Sequence, residues 1–327
     1  MSLKTNAADS EFRSAFRPFE LEQAIEGVPT DFDVFVWVAD EPVLYAAAPY
    51  LWRMEELRAL KREGMKLFVR ADDTKRVDAY RTLRLVSSID RRLAPAPRLA
   101  QIMDVTAELT RVLFNQKLTP AAVSLAERVC SDLVDCLQEN DACVKLIKQL
   151  GSHDLKSYLH SGRTAGFSVA VALNMGVSKR TSLINIALGA MMHDIGDIRI
   201  NQALLDKSGP LAPSDWSKIH QHTEIGHEEV ARSMVGAIPR EIVLHHHERE
   251  DGSGYPHQLT SNEIPTEVKI VAVADVFDAL TSERPHRTSK SAFQALELMR
   301  HSMGKSLHQD AFRALVQALG KKTSEVA

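Results

Sequence analysis

Cysteine is scarce in this 327-residue chain: Cys130, Cys136 and Cys143 are its whole complement. They crowd one helical-looking stretch with no Cys-x-x-Cys pair, which argues against a disulfide scaffold or a thiolate metal site. Reduced helix residues of a cytoplasmic protein are the expectation that remains. No uncharged apolar run approaches the ~18–20 residues of a membrane span, and the opening MSLKTNAADSEFRS lacks the apolar core of a signal peptide. Charge of one sign is not in excess either. Lys and Arg number 40 against 43 Asp and Glu, a formal net charge of −3, which argues against a nucleic-acid polymer or an anionic membrane as partner. Histidine is absent before His153, so all 13 imidazoles belong to the C-terminal part of the chain.

What is present describes an ordinary globular protein, 44% hydrophobic and 25% charged, long enough for two domains. Residues 31–39, DFDVFVWVA, alternate apolar and polar before an apolar end and predict a strand. EPVLYAAAPYL predicts its partner, MEELRALKREG a helix stopped by Gly64, and KLFV (66–69) a further strand. Residues 1–95 thus read as a small α+β domain without a chemical motif, expected to be regulatory or sensory. The prolines of LAPAPR (93–98) mark a boundary. Residues 96–149 follow as a helical linker, with Leu99, Ile102, Leu109 and Leu113 on one face and Val123, Ala126, Cys130, Leu133 and Leu137 on the next. Such stripes are core or, less often, the seam of a homodimer. Residues 150–327 read as helical almost throughout, so the fold class is mainly α.

Within that last segment, HHHEREDGSGYP (245–256) sets three histidines before a glycine-rich turn. A buried helix cannot satisfy three adjacent imidazoles without partners. His193-Asp194 in ALGAMMHDIGDIRI follows an apolar run, and alone would be an ordinary polar patch. It has company in His160, His222, His246, His247 and Asp275, the last within the apolar run IVAVADVFDAL. An uncompensated buried aspartate is expensive, so Asp275 needs a cation or strong donors. Several helices therefore each supply one or two nitrogen or oxygen ligands of the kind that Fe, Mn, Zn, Co or Ni accept. Neighbours on a helix diverge by ~100°, so the adjacent pairs point to two ions with a carboxylate between them. Two ions ~3.5–4 Å apart are suited to phosphodiester hydrolysis, because they activate water and neutralise charge on the phosphoryl oxygens.

The ordered series H…HD…H…HH…D resembles the HD superfamily of metal phosphohydrolases. HHEREDGSGYP matches HHExxDGxGYP, the pattern that names the HD-GYP family of bacterial cyclic-di-GMP phosphodiesterases. The resemblance runs from about residue 150 to 320 and takes in LLDKSGPL, NEIPTEVKIVAVADVFDALTSERPHR and the glycine of SMGKS. It implies an all-helical HD-type bundle whose metal ligands are His160, His193, Asp194, His222, His246, His247 and Asp275. Asp194 would bridge two divalent transition-metal ions, iron first, with Mn, Zn, Ni or Co as alternatives. Lys156 stands where some members carry a carboxylate for a third ion. Arg284 and Arg287 match positions that clamp substrate phosphates, a task suited to guanidinium forks, and Lys207 joins them as a substrate contact. Asp194, Asp197 and Tyr255 are the catalytic candidates. His245 is the extra histidine, structural or solvent-facing. Gly252 and Gly254 are expected to permit positive φ in a loop that lines the cleft, braces the metal helix or contacts a GGDEF-domain partner.

The chain departs from its family at HDIGD, where HDxGK is usual. Asp197 replaces a cation with an anion close to the expected phosphodiester, which would cost on the order of a few kcal/mol of transition-state stabilisation. It would instead be accommodated as a metal ligand, as a partner of Lys207, or with a raised pKa. Three functions follow. The first is hydrolysis of cyclic-di-GMP to pGpG and GMP, with activity reduced by Asp197. The second is a weak enzyme acting as a cyclic-di-GMP receptor or GGDEF-binding module. The third is a related hydrolase of another cyclic dinucleotide or a mononucleotide.

Overall fold

The computed structural model describes residues 15–21, 24, 29–39, 41–115, 118–149, 156–205, 207, 209, 211–282 and 289–320. By its internal packing the chain divides into two units, Met1–Ser88 and Ile89–Ala327.

The first unit holds strands β1 (Phe16–Phe19), β2 (Pro29–Thr30), β3 (Val34–Val38), β4 (Glu41–Ala46), β5 (Tyr50–Leu51) and β6 (Leu67–Arg70), with helices α1 (Met54–Glu63) and α2 (Thr74–Ser87). Four strands form an antiparallel sheet in the order β1-β6-β3-β4, and β2 pairs with β5. The predicted strands and the helix ending at Gly64 are all present; Gly64 adopts φ 64°, and its N–H closes the last turn of α1 onto Leu60 and Lys61. Alternation along β3 turns Val34 and Val36 inward, where Phe19, Phe32, Trp52 and Tyr80 complete an apolar core.

The second unit is helical: α3 (Pro95–Asn115), α4 (Pro120–Glu139), a 3-10 segment (Asp141–Gln149), α5 (Lys156–Asn174), α6 (Arg180–Met192), a 3-10 turn (Ile195–Arg199), α7 (Gln202–Leu205), α8 (Pro213–His220), α9 (His222–Ala231), α10 (Ala237–His245), α11 (Thr266–Thr281), α12 (Ala292–Ser302) and α13 (Gln309–Gly320). The prolines of 93–98 open α3 rather than separate the two units. The apolar stripes on α3 and α4 are buried against this unit, α3 packing on α4 and α5, and α4 also on α6. That burial leaves neither stripe free to pair two protomers. At the centre, α5 packs against α6 and α11, and α6 against α10. α6 is buried almost continuously from Ile186 to Met192, and α11 from Val268 to Asp278. Both are buried on nearly every side, as helices enclosed by others are, and α11 carries two buried carboxylates, Asp275 and Asp278.

Two glycines set how closely the site-bearing elements approach. A Cβ on Gly189 would meet Ile242 Cδ1 at 2.6 Å, where α6 crosses α10. A Cβ on Gly196 would lie 1.9 Å from the carbonyl oxygen of His222, so the 3-10 turn rests directly on the start of α9. Gly196→Ala must push these two segments apart. We predict a loss of about 1–3 kcal/mol or more, as for overpacked cores, visible as a thermal midpoint lowered by about 2–10 °C. An unchanged midpoint would show that the contact is not closely packed.

Candidate metal centre

The seven residues singled out from the sequence come from five places in the fold and meet at one point. His160 lies in the first turns of α5. His193 ends α6, and Asp194 sits in the link to the 3-10 turn. His222 opens α9, His246 and His247 follow the end of α10, and Asp275 lies midway along α11. Their ligand atoms form two adjoining groups, one of Asp194, His222, His246 and His247 and one of His160, His193 and Asp275. Each group is compact, with its ligand atoms within 4.8 Å of one another.

Asp194 joins the groups through its two oxygens. Oδ1 is 3.6 Å from Nε2 of both His222 and His246, while Oδ2 is 3.0 Å from His193 Nε2 and 3.8 Å from His160 Nε2. Asp275 spans them a second time, with Oδ1 3.1 Å from His160 Nε2 and Oδ2 4.0 Å from His247 Nδ1.

Backbone geometry chooses which imidazole nitrogen faces the centre. Nδ1 of His193 lies 2.8 Å from the carbonyl of Ala190, Nδ1 of His222 lies 2.7 Å from that of Ile219, and Nδ1 of His246 lies 3.0 Å from that of Val243. A carbonyl only accepts, so each Nδ1 donates, and each Nε2 is left with a lone pair aimed inward. His160 is oriented by a carboxylate instead, its Nδ1 being 2.7 Å from Asp278 Oδ2. Asp278 is fully buried and is itself held by Arg163 Nε at 2.7 Å and Ser282 Oγ at 2.9 Å. This Asp278–His160 pair is the kind of outer support that orients a candidate ligand. The sequence reading passed over Asp278, although it stands three residues after Asp275, on the same side of the same helix.

These atoms pass a test for fit to metal ions. His193 Nε2 is buried with no hydrogen-bond partner; it is near Asp194 Oδ2 but not aligned for a hydrogen bond. Nε2 of His222 and Nε2 of His246 face each other at 3.3 Å, two lone pairs directed at common space. Protonation follows the same logic. Burial opposes the charge on His160, yet hydrogen bonds to Asp275 and Asp278 raise its pKa to about 10. Burial lowers His246 to about 4 and pulls His247 well below the usual imidazole range. Asp194 is held well below the carboxylate range, the surrounding histidines outweighing its burial. The anionic oxygens and the neutral His246 and His247 suit a divalent transition ion as they stand. His160 and His193, raised against their burial by neighbouring carboxylates, would release a proton on binding one.

Asp197 faces the same centre. Burial, then the charge of Asp194, pushes its carboxyl up to about 6. Its ligand oxygens belong to neither group of potential ligands among the described residues. Lys207, the suggested partner of Asp197, is engaged elsewhere, its ammonium 2.6 Å from Asp215. Arg284 and Arg287 lie outside the described residues.

The GYP loop closes over one edge of the centre. Tyr255 sits 4.7 Å from the His247 ring and stacks on His220 at 3.7 Å and 13°. His220, at the end of α8, carried no signal in the sequence beyond lying two residues before His222. Burial, then the charges of Asp194 and Asp275, raises the Tyr255 hydroxyl far above its usual range, so it remains a donor. Gly252 takes φ 75°, as expected. Gly254 serves differently: a Cβ there would lie 2.4 Å from Glu248 Cα and 2.6 Å from the His247 carbonyl, so it permits close backbone approach rather than positive φ. Glu248, 2% exposed, pins the loop by accepting from the N–H of His257 at 2.7 Å and of Leu259 at 3.0 Å. His245 is buried, not solvent-facing.

Comparison with known proteins places this geometry. The HD domain family matches residues 145–311. A cyclic di-GMP phosphodiesterase of Thermotoga maritima is 35% identical over 204 residues, covering 62% of this chain and 54% of that protein. A 3'3'-cGAMP-specific phosphodiesterase of Vibrio cholerae, the third so numbered, is 31% identical over 230 residues, covering 68% and 49%. The chain thus spans about half the length of these curated relatives. Among solved structures, Bd1817, an HDG"Y"P protein from Bdellovibrio bacteriovorus, superposes with a TM-score of 0.64 at 17% identity, covering 94% of this chain and 100% of that one; this likeness speaks for the fold. No described helix is long and apolar enough to cross a membrane. With the HD signature, its companion ligands and the GYP loop assembled around one point, the chain belongs to the HD-domain family as a member of the HD-GYP type.

Proposed function

We propose that this protein hydrolyses cyclic-di-GMP to pGpG and onward to GMP at a centre for two divalent transition ions, iron first among them. The observation that carries this reading is the convergence of seven ligands in two groups joined by the two oxygens of Asp194. His160, His193 and Asp275 would hold one ion, His222, His246 and His247 the other, with Asp194 between. Bound there, such ions supply Lewis-acid activation of water and neutralise charge on a phosphodiester.

The chain's own residues supply orientation and charge. Asp278 and the backbone carbonyls orient the imidazoles. Tyr255, still protonated at neutral pH, donates from the rim toward a substrate oxygen. Arg284 and Arg287 clamp the phosphates, with Lys207 at the margin once released from Asp215. The first unit, residues 1–88, acts as a regulatory or sensory domain, α3 and α4 brace the catalytic bundle rather than forming a separate linker, and the GYP loop offers a surface to GGDEF-domain proteins. A homodimer would use surfaces other than the buried stripes of α3 and α4. Three free, buried cysteines accord with a cytoplasmic setting.

Asp197 favours a second reading, that of a slow enzyme serving as a receptor. With its pKa about 6, its carboxyl is mostly anionic at neutral pH and opposes an incoming phosphate. The Vibrio cholerae relative favours a third, in which the cyclic dinucleotide is a mixed one.

Three outcomes are expected. Protein purified anaerobically in metal-replete medium carries close to two transition-metal equivalents by elemental analysis, and His247→Ala loses at least one; a metal-free wild type would defeat the proposed centre. Incubated with cyclic-di-GMP and, separately, 3'3'-cGAMP, the loaded protein releases linear dinucleotide, pGpG from the former, seen by chromatography; binding without turnover of either would establish the receptor instead. Asp197→Lys raises turnover per bound metal by about tenfold or more, the scale of one charge-assisted contact. A fall in turnover at unchanged occupancy would show that the aspartate is part of the chemistry.

A further inference from the structure

A second concentration of ligand atoms lies beyond the seven residues of the centre. His245, at the end of α10, has Nδ1 3.0 Å from Glu241 Oε2, one helical turn earlier. Its Nε2 faces Nδ1 of His257 at 2.9 Å, across the GYP loop. Ligand atoms of His245, Glu248 and His257 all lie within 4.8 Å of one another. His245 and Glu248 are buried, and His257 is exposed.

The hydrogen bonds define what this cluster can accept. Glu241 only accepts, so His245 donates from Nδ1 and presents the Nε2 lone pair to His257. That pair of rings is held together by a single N–H, the one on His257 Nδ1. The other nitrogen of the exposed His257 ring can carry the proton equally well, since it meets water. Shifting to that tautomer leaves two neutral imidazole donors facing one another beside the Glu248 carboxylate, whose oxygens have lone pairs left after binding the His257 and Leu259 N–H groups. Glu241 behind His245 is then the outer carboxylate that orients a ligand histidine. Two imidazoles and one carboxylate, with room on the exposed side for water, suit a zinc-like ion.

We propose that His245, His257 and Glu248 form a peripheral site for a divalent transition ion of the zinc type, separate from the Asp194 centre. Coordination replaces the single imidazole–imidazole hydrogen bond and ties the loop bearing Tyr255 to the helix end bearing His246 and His247. The site thereby fixes the loop that covers the centre.

The test is a stoichiometry, independent of whether any dinucleotide is hydrolysed. Metal-stripped full-length protein titrated with zinc should take up one more equivalent than His257→Ala, a change at an exposed ring that leaves the fold intact. His247→Ala, impaired at the central site, should retain the His257-dependent equivalent. Zinc should also raise the unfolding temperature of the wild type more than that of His257→Ala. Equal zinc uptake by wild type and His257→Ala overturns the site.

Discussion

Carboxylates buried among imidazoles are the constraint on which the C-terminal unit depends. Asp275 and Asp278 are 6% and 0% exposed, on the most buried helix of the unit. Removing such a charge from water costs several kcal/mol after relaxation unless it is paired and hydrogen-bonded. Each is satisfied in turn: Arg163 and Ser282 hold Asp278, Asp278 holds His160, and His160 meets Asp275. The chain of contacts runs from an ion pair at one side of the bundle to the centre, and α5 and α11 cannot slide against each other without breaking it.

The histidines complete the arrangement because most stand at helix ends. A side chain in the last turn of a helix finds carbonyls of the preceding turn within reach of Nδ1, as His193 and His246 do. The far nitrogen is thereby turned away from the helix and toward the neighbouring one. Helix packing, rather than loop conformation, sets the spacing between ligands. Gly189 and Gly196 let α10 and α9 come close enough for their ligands to reach the same space as His193 and Asp194.

Asp197 and the GYP loop show how the same frame admits variation. The 3-10 turn that must rest on α9 through Gly196 carries position 197 toward the centre whatever its side chain. An aspartate there is disfavoured by burial and by Asp194, which is why its pKa is raised. The loop, in contrast, is secured by Glu248 and by the close approach of Gly254, so Tyr255 is positioned by backbone contacts and by stacking on His220.

Much of this was legible beforehand. Strand alternation, the stop at Gly64 and the helical stripes are local consequences of side-chain period and backbone freedom, and residue order carries them. The seven candidate ligands were legible through the family resemblance, with which the chemistry agrees: a divalent ion accepts few residue types, and an aspartate in an apolar run needs a cation or strong donors. The sequence by itself thus determined the elements, the family and the candidate ligands. Only the tertiary structure decided that α3 and α4 are core rather than seam, that Lys207 answers Asp215, that Gly254 serves proximity, and that Asp278 meets His160, His220 stacks on Tyr255 and His245 faces His257. Those outcomes depend on which side chains meet across helices far apart in the chain, and no period or spacing along one strand of residues encodes that distance.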